Sequence, residues 1–378
     1  MKLICSISVL WFVLINPVLG FELTEQSRIS ILTVDPGQEL YTIFGHTAIR
    51  VTDDELKIDR IYNFGTFDSS APFFYIEFLR GDLDYFLSMT DYNTFLRNTV
   101  DEKRRIVEQV LDLTYPERMK LYNDLENQYQ SSARFYRYDF FYDNCATRVR
   151  DVIFNTSPSK IKYDTTQFCC KSFRELLKPY ISRNYWIDLG INLTLGMGAD
   201  KMARSKDFMF LPDYIRLILH QTTWVESEQT LLEKPFLNTR KFNYSYLSPW
   251  VLLAALLYAS FRIKYKRLVF KVFLVTFSIV GMILFLITSI SLNRTLSGNL
   301  NIWWTLPSLA LLLVRNEQIN YVLEIIYCTF LVLLILAGWI MIRWFSFTFL
   351  PWMITLVILL LADIRWNRKN QDVPARLS

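Results

Sequence analysis

The sequence predicts an α+β domain outside the cytoplasm, followed by an all-α membrane domain of about five transmembrane helices. Three patterns predict it. A short apolar run opens the chain, strand-like and then helix-like periodicity fills residues 21–245, and long apolar stretches dominate from Leu247 onward. The 378 residues are 52% hydrophobic and 20% charged, with a mean hydropathy of +0.19. The surplus apolar content sits at the two ends, so that average describes neither half of the molecule.

Residues 1–20 read as a signal peptide. Met1-Lys2 precede the apolar run Ser8-Val9-Leu10-Trp11-Phe12-Val13-Leu14-Ile15, and Val18-Leu19-Gly20 offers a small residue at the cut. Roughly ten apolar residues are too few to cross a bilayer. The exported, periplasmic domain then spans 21–245. Strands are expected at Ile29–Val34, Tyr41–Val51 and Asp59–Gly65, with a turn at Asp35-Pro36-Gly37. Alternation puts His46, Ala48 and Arg50 on one face and Thr47, Ile49 and Val51 on the other. A helix is expected over Asp101–Leu113. A second starts at the capping box Thr114-Tyr115-Pro116-Glu117, and its core stripe is Leu121, Tyr122, Leu125 and Tyr129. The aromatic stretch Phe135–Tyr142 leads into a helix opened by Cys145, with Asp143 or Asn144 as its cap.

Membrane spans are expected near 247–261, 268–290, 301–314, 322–342 and 347–364, within a domain of 246–366 that ends in a cytoplasmic tail at 367–378. Basic residues gather at Arg262–Arg267, at Arg315 and in the tail, which places those breaks in the cytoplasm by the positive-inside rule. An odd number of spans then connects an exported domain to a cytoplasmic end. Trp250 and Trp303-Trp304 fall where interfacial anchors belong. Topology accounts for the net charge of +5 and leaves no reason to invoke nucleic acid. Glu324 and Asp363 are too few to suggest an ion transporter.

The chemistry rests on a short list, because the chain has five cysteines and two histidines. A thiolate attacks more readily at a helix N-terminus or beside a cation, and Cys145 has both the helix start and Arg148. His46, on its strand beside Gly45, supplies a base that takes the thiol proton and later serves the incoming nucleophile. Two structural readings compete. Cys145 could pair with Cys169 or Cys170 in an oxidising compartment, or join them and His46 around zinc, although the close paired spacing of common zinc sites is missing. Arg148 and Arg150 suit phosphate head groups or ion pairs with Asp143 and Asp151. His220, on a mainly apolar helix, reads as an interface or packing residue rather than a base.

Taken together, Phe44-Gly45-His46-Thr47-Ala48-Ile49-Arg50-Val51, Tyr62-Asn63-Phe64-Gly65 and Tyr142-Asp143-Asn144-Cys145-Ala146-Thr147-Arg148 resemble the circularly permuted relatives of papain, such as the NlpC-like group. More closely they resemble the Lnb-type lipoprotein N-acyltransferases. Ser172-Phe173-Arg174, Leu195-Gly196-Met197-Gly198-Ala199-Asp200 and Phe210-Leu211-Pro212-Asp213-Tyr214 extend the likeness over most of 28–220. The resemblance implies an enzyme of the bacterial inner membrane, without cofactor or metal, that moves an acyl chain from a phospholipid to Cys145. The thioester then passes the chain to the α-amino group of a diacylglyceryl-cysteine lipoprotein. It implies Cys145 as nucleophile and His46 as base. Asn63 is the expected orienter of the imidazole, with Tyr62 as its competitor. Asn144 and the Cys145 N–H are candidates for holding the oxyanion, and Arg148 for contacting the lipid. A membrane-anchored cysteine peptidase or amidase acting on cell-wall peptide, and a non-catalytic envelope scaffold, are the alternatives.

Overall fold

The computed structural model describes residues 22–371 except 69, 71, 74–75, 78–79, 158–162, 167–169, 234–243, 262–265, 314–316 and 341–346. The expected signal peptide, Cys169 and the last seven residues lie outside the described residues.

Among the described residues seven strands form one antiparallel sheet: β1 (Arg28–Val34), β2 (His46–Asp53), β3 (Ile58–Thr66), β4 (Asp84–Asp91), β5 (Ile106–Leu111), β6 (Phe135–Arg137) and β7 (Val225–Leu232), in the order β6-β4-β3-β2-β1-β5-β7. Alternation along the central strands buries both faces. Ile29, Ile31, Ile49, Val51, Tyr62 and Phe64 belong to the main core. Leu32, Val34, Ala48, Ile61 and Ile106 form a smaller cluster covered by Phe95 and Leu96 of α1 (Tyr92–Asp101). The main core is closed by α2 (Tyr115–Gln130), α3 (Cys145–Thr156), α4 (Phe173–Ile181) and α6 (Pro212–His220).

The expected capping box at the start of α2 is formed, with the Thr114 N–H donating to Glu117 at 2.8 Å. The helix expected over Asp101–Leu113 is instead the end of α1 followed by β5. Asp91 starts α1 early by accepting from the Thr94 N–H at 2.9 Å. The β-branched residues Ile106, Val107 and Val110 then pair with β1, so sheet contacts override the local helical pattern. Strand β2 starts at His46, not Tyr41, because Gly45 turns the chain at φ +83 and a Cβ there would lie 2.7 Å from the Val34 carbonyl oxygen. The close approach beside His46 is thus made by backbone.

In the C-terminal region, α7 (Ser248–Phe261), α8 (Lys266–Ile290), α9 (Ile302–Thr305), α10 (Glu317–Ile340) and α11 (Leu350–Gln371) share a second core that includes Leu274, Leu331 and Leu356. Among the described residues two segments, Leu268–Ile290 and Asn320–Ala337, are long and apolar enough to cross a membrane, which corrects the expected five. Helix α7 has 14 residues where about 20 are needed. The third expected span is broken at Leu306, whose φ is 23, between α9 and a tight 3-10 turn over Pro307–Leu313. Helix α11 becomes charged at Asp363, Arg365, Arg368 and Lys369. Trp250 is exposed, but Trp304 is buried and donates its indole N–H to Asn301 at 2.9 Å, so it is a core residue and not an interfacial anchor.

The two regions are joined through α5 (Tyr185–Thr194). Its Leu189 and Leu193 pack on the second core, and its buried Asp188 accepts from Tyr246 and Thr348, each at 2.9 Å. The Leu195–Asp200 motif explains itself here. The Gly196 N–H donates to the Thr295 carbonyl at 2.9 Å, and a Cβ on Gly196 would come within 2.0 Å of the Ser297 carbonyl oxygen. Backbone can pass this close because the side chain is missing.

Candidate active site

The thiol is placed by helix capping. Asn144 has extended backbone (φ −124) and caps α3, its side-chain oxygen accepting the Thr147 N–H at 2.9 Å while the Thr147 hydroxyl accepts the Asn144 N–H at 2.7 Å. Cys145 is therefore the first residue of the helix, where backbone N–H groups point outward without helical partners and favour a negative charge. It is a half-buried free thiol. Cys170 is also free, so neither structural pairing of Cys145 with it nor a shared metal cluster occurs among the described residues.

The imidazole comes from the sheet. The register of β2 on β3 pairs Ile49 with Tyr62, and its continuation sets Asn63 diagonally from His46. His46 Nε2 lies 3.1 Å from Asn63 Oδ1, so Nε2 carries hydrogen toward the amide and Nδ1 is left for the thiol. The Cys145 thiol hydrogen-bonds the His46 ring. Burial opposes both charges, yet the pair overcomes it. For Cys145, the hydrogen bond and charge of His46, with the backbone N–H groups of Thr47 and Ala146, hold the thiol below its ordinary value of 9.0. For His46, the Cys145 bond and charge and the Asn63 bond raise the ring above 6.5, against burial and the Arg104 charge. Both shifts favour a thiolate–imidazolium pair. Gly65 borders the thiol: its φ is +85, a conformation that favours glycine, and a Cβ there would stand 3.5 Å from the Cys145 Cβ.

The remaining candidates separate. Tyr62 is next to Asn63 in sequence but on the opposite face, where its hydroxyl donates to the buried Glu126 carboxylate. It does not touch the imidazole. Asn144 spends both amide hydrogens, on the Phe140 carbonyl at 2.7 Å and the Phe210 carbonyl at 2.8 Å, and has none left for an oxyanion. The Cys145 N–H keeps that capacity by its position in the first turn. Arg148 is bound through two nitrogens to Asp143 and lies 3.9 Å above the Tyr136 ring. Arg150 pairs with Asp151 at 2.7 Å. Both arginines are thus committed to internal ion pairs. His220 is exposed and meets Glu228 at 3.1 Å.

The later motifs support the site. The Phe210 carbonyl anchors Asn144, Tyr180 donates to Asp213 at 2.9 Å, and Arg174 pairs with Asp200 at 2.7 Å and bonds Asn192 at 2.8 Å. Tyr138, beside the thiol, carries no sequence signal that would have singled it out of an aromatic run. Searches of the curated proteins and of the solved structures return no match. Residues 23–178 match the family model described as the Lnb N-terminal periplasmic domain, a stretch that contains His46, Asn63 and Cys145.

Proposed function

We propose that the protein is a thiol-dependent lipoprotein N-acyltransferase of the bacterial inner membrane. The Cys145 thiolate attacks the ester carbonyl of a phospholipid, and His46 protonates the departing lysophospholipid oxygen. The resulting thioester is attacked by the α-amino group of a diacylglyceryl-cysteine lipoprotein, with His46 taking the amine proton. Asn63 holds the imidazole tautomer. No cofactor or metal takes part. The observation that carries this reading is the free thiol of Cys145 at a helix N-terminus, hydrogen-bonded to a histidine that Asn63 fixes at 3.1 Å.

The joint to apolar helices supports a membrane-held substrate: α5 packs on the C-terminal core, which contains two segments able to span a bilayer. A multi-pass topology with this domain on the periplasmic face follows from that reading. The family match and the shared motifs favour the transferase over a wall peptidase, for which the same dyad would serve. The test supplies the purified protein with phospholipid labelled in its acyl chains and a diacylated lipopeptide. The expected product is the N-acylated lipopeptide, dependent on Cys145. Release of free fatty acid alone, or cleavage of wall peptide, would contradict the proposal.

A further inference from the structure

Acyl transfer to a thiol needs donors for the negative charge that develops on the carbonyl oxygen, and with Asn144 spent, the Cys145 N–H is one donor where such sites commonly use two. We propose that the Tyr138 hydroxyl is the second donor, which makes Tyr138 a catalytic residue of the acyl-transfer reaction; the inference rests on that reading of the site.

Backbone geometry brings the two residues together. Asp139 and Asp143 exchange hydrogen bonds, Asp139 N–H to the Asp143 carbonyl at 3.1 Å and Asp143 N–H to the Asp139 carbonyl at 2.8 Å. The chain thus folds back on itself and sets Tyr138, before the bridge, beside Asn144 and Cys145, after it. The Asp139 carboxylate tightens the loop by accepting the N–H groups of Phe141 at 3.0 Å and Tyr142 at 3.2 Å.

The ring lies beside Gly65, as Cys145 does. The point above Gly65 that lies 3.5 Å from the Cys145 Cβ is 3.8 Å from Tyr138 Cε2. Stacking on Tyr85, centroids 4.4 Å apart, fixes the plane. The hydroxyl has no hydrogen-bond partner among the described residues. Burial, and then the Cys145 charge, keep the phenol neutral well above its ordinary value, so it keeps its hydrogen at any working pH. The Tyr136 hydroxyl, two residues earlier, is also buried without a partner among the described residues, but the Tyr136 ring is covered by Arg148, which is itself paired with Asp143.

In the step assigned to Tyr138, the Cys145 sulfur bonds the carbonyl carbon and the π electrons move to oxygen, which accepts the Tyr138 O–H and the Cys145 N–H. The oxygen then re-forms the double bond and expels the leaving group. The test compares wild type, Tyr138→Phe and Cys145→Ser in the full-length protein, with two reagents. A 4-nitrophenyl ester acylates Cys145 and releases 4-nitrophenolate without needing a proton, whereas iodoacetamide alkylates the thiolate through no oxyanion. The expected result is a burst of 4-nitrophenolate slowed about a hundredfold in Tyr138→Phe, with alkylation within about twofold of wild type and at the same pH.

A burst at the wild-type rate would overturn the assignment, as would equal slowing of both reactions, since that is the mark of a structural residue. Absence of a Cys145-dependent burst in wild type would overturn it together with the thiol mechanism. Acylation of wild type by the ester but not by phospholipid, with Tyr138→Phe slow, would contradict the lipoprotein reading and leave Tyr138 in place.

Discussion

Tyr62 and Asn63 are neighbours on β3, and each anchors a polar cluster on its own face of the sheet. On the Tyr62 side, the hydroxyl and Arg60 share the buried Glu126 carboxylate, which also accepts from Gln130 at 3.2 Å. That cluster is closed, with donors matched to acceptors and charges paired. On the Asn63 side, an amide holds an imidazole that holds a thiol, and the chain of contacts ends at a half-buried sulfur beside Gly65. The same strand thus carries one cluster that is satisfied and one that lacks its last partner. Reactivity belongs to the incomplete cluster, because a group with all its bonds made has nothing left to offer a substrate.

Removing the sulfur separates the two clusters most sharply. Cys145→Ser should lower acyl transfer by about 10⁴-fold or more while leaving the thermal midpoint near wild type. His46→Ala should cost about 10³-fold in the same assay. It should also shift thiol alkylation toward alkaline pH, because the group that holds Cys145 below 9.0 is gone.

Asn63→Ala should slow transfer by about 10²-fold, less than the roughly 10⁴ that a carboxylate orienter is worth, since an amide fixes the ring without adding charge. Tyr62→Phe is its mirror. It should leave the transfer rate unchanged and lower stability by about 1–3 kcal/mol, the cost of an unmatched buried acceptor, read by chemical denaturation. A rate loss in Tyr62→Phe as large as that in Asn63→Ala would break the comparison.

The pH profile sharpens it further. Cys145 is shifted down and His46 up, so both shifts act toward coexistence of thiolate and imidazolium. Alkylation of Cys145 should persist well below pH 9 and fall once acid protonates the sulfur. The smallest expected effect on the rate lies at the joint: Gly196→Ala must displace the Ser297 carbonyl, costing about 1–3 kcal/mol of stability as overpacking does. Transfer from a bilayer donor should then fall more than acylation by a water-soluble ester.

The sequence revealed more of the site than of its frame. The place of Cys145 was legible through the cap residue before it and that of His46 through its alternating strand, whereas Asn63, on the next strand, entered only with the family resemblance. The α2 start was legible for the same local reason. The β5 strand was not, because Ile106–Leu111 fits a helical stripe until β1 and β7 bind its two edges, and such pairing leaves no local mark. The membrane count failed at positions where apolar content and helix continuity part, as at Leu306 and Pro307. Asn144, Arg148 and Tyr62 had suitable chemistry for binding, yet each is occupied by a partner that spacing alone does not disclose. Tyr138 was hidden among eight consecutive residues, Phe135–Tyr142, that include six aromatics, and the Asp139–Asp143 bridge is what distinguishes it.

The most direct test is mass measurement of the intact, membrane-purified chain after exposure to phospholipid without an acceptor, followed by peptide mapping. A single fatty acyl mass on Cys145, removed by hydroxylamine, lost in Cys145→Ser and reduced in His46→Ala, is the result the account predicts. An unmodified Cys145, or one in a disulfide, in a preparation that still N-acylates a lipopeptide would contradict it.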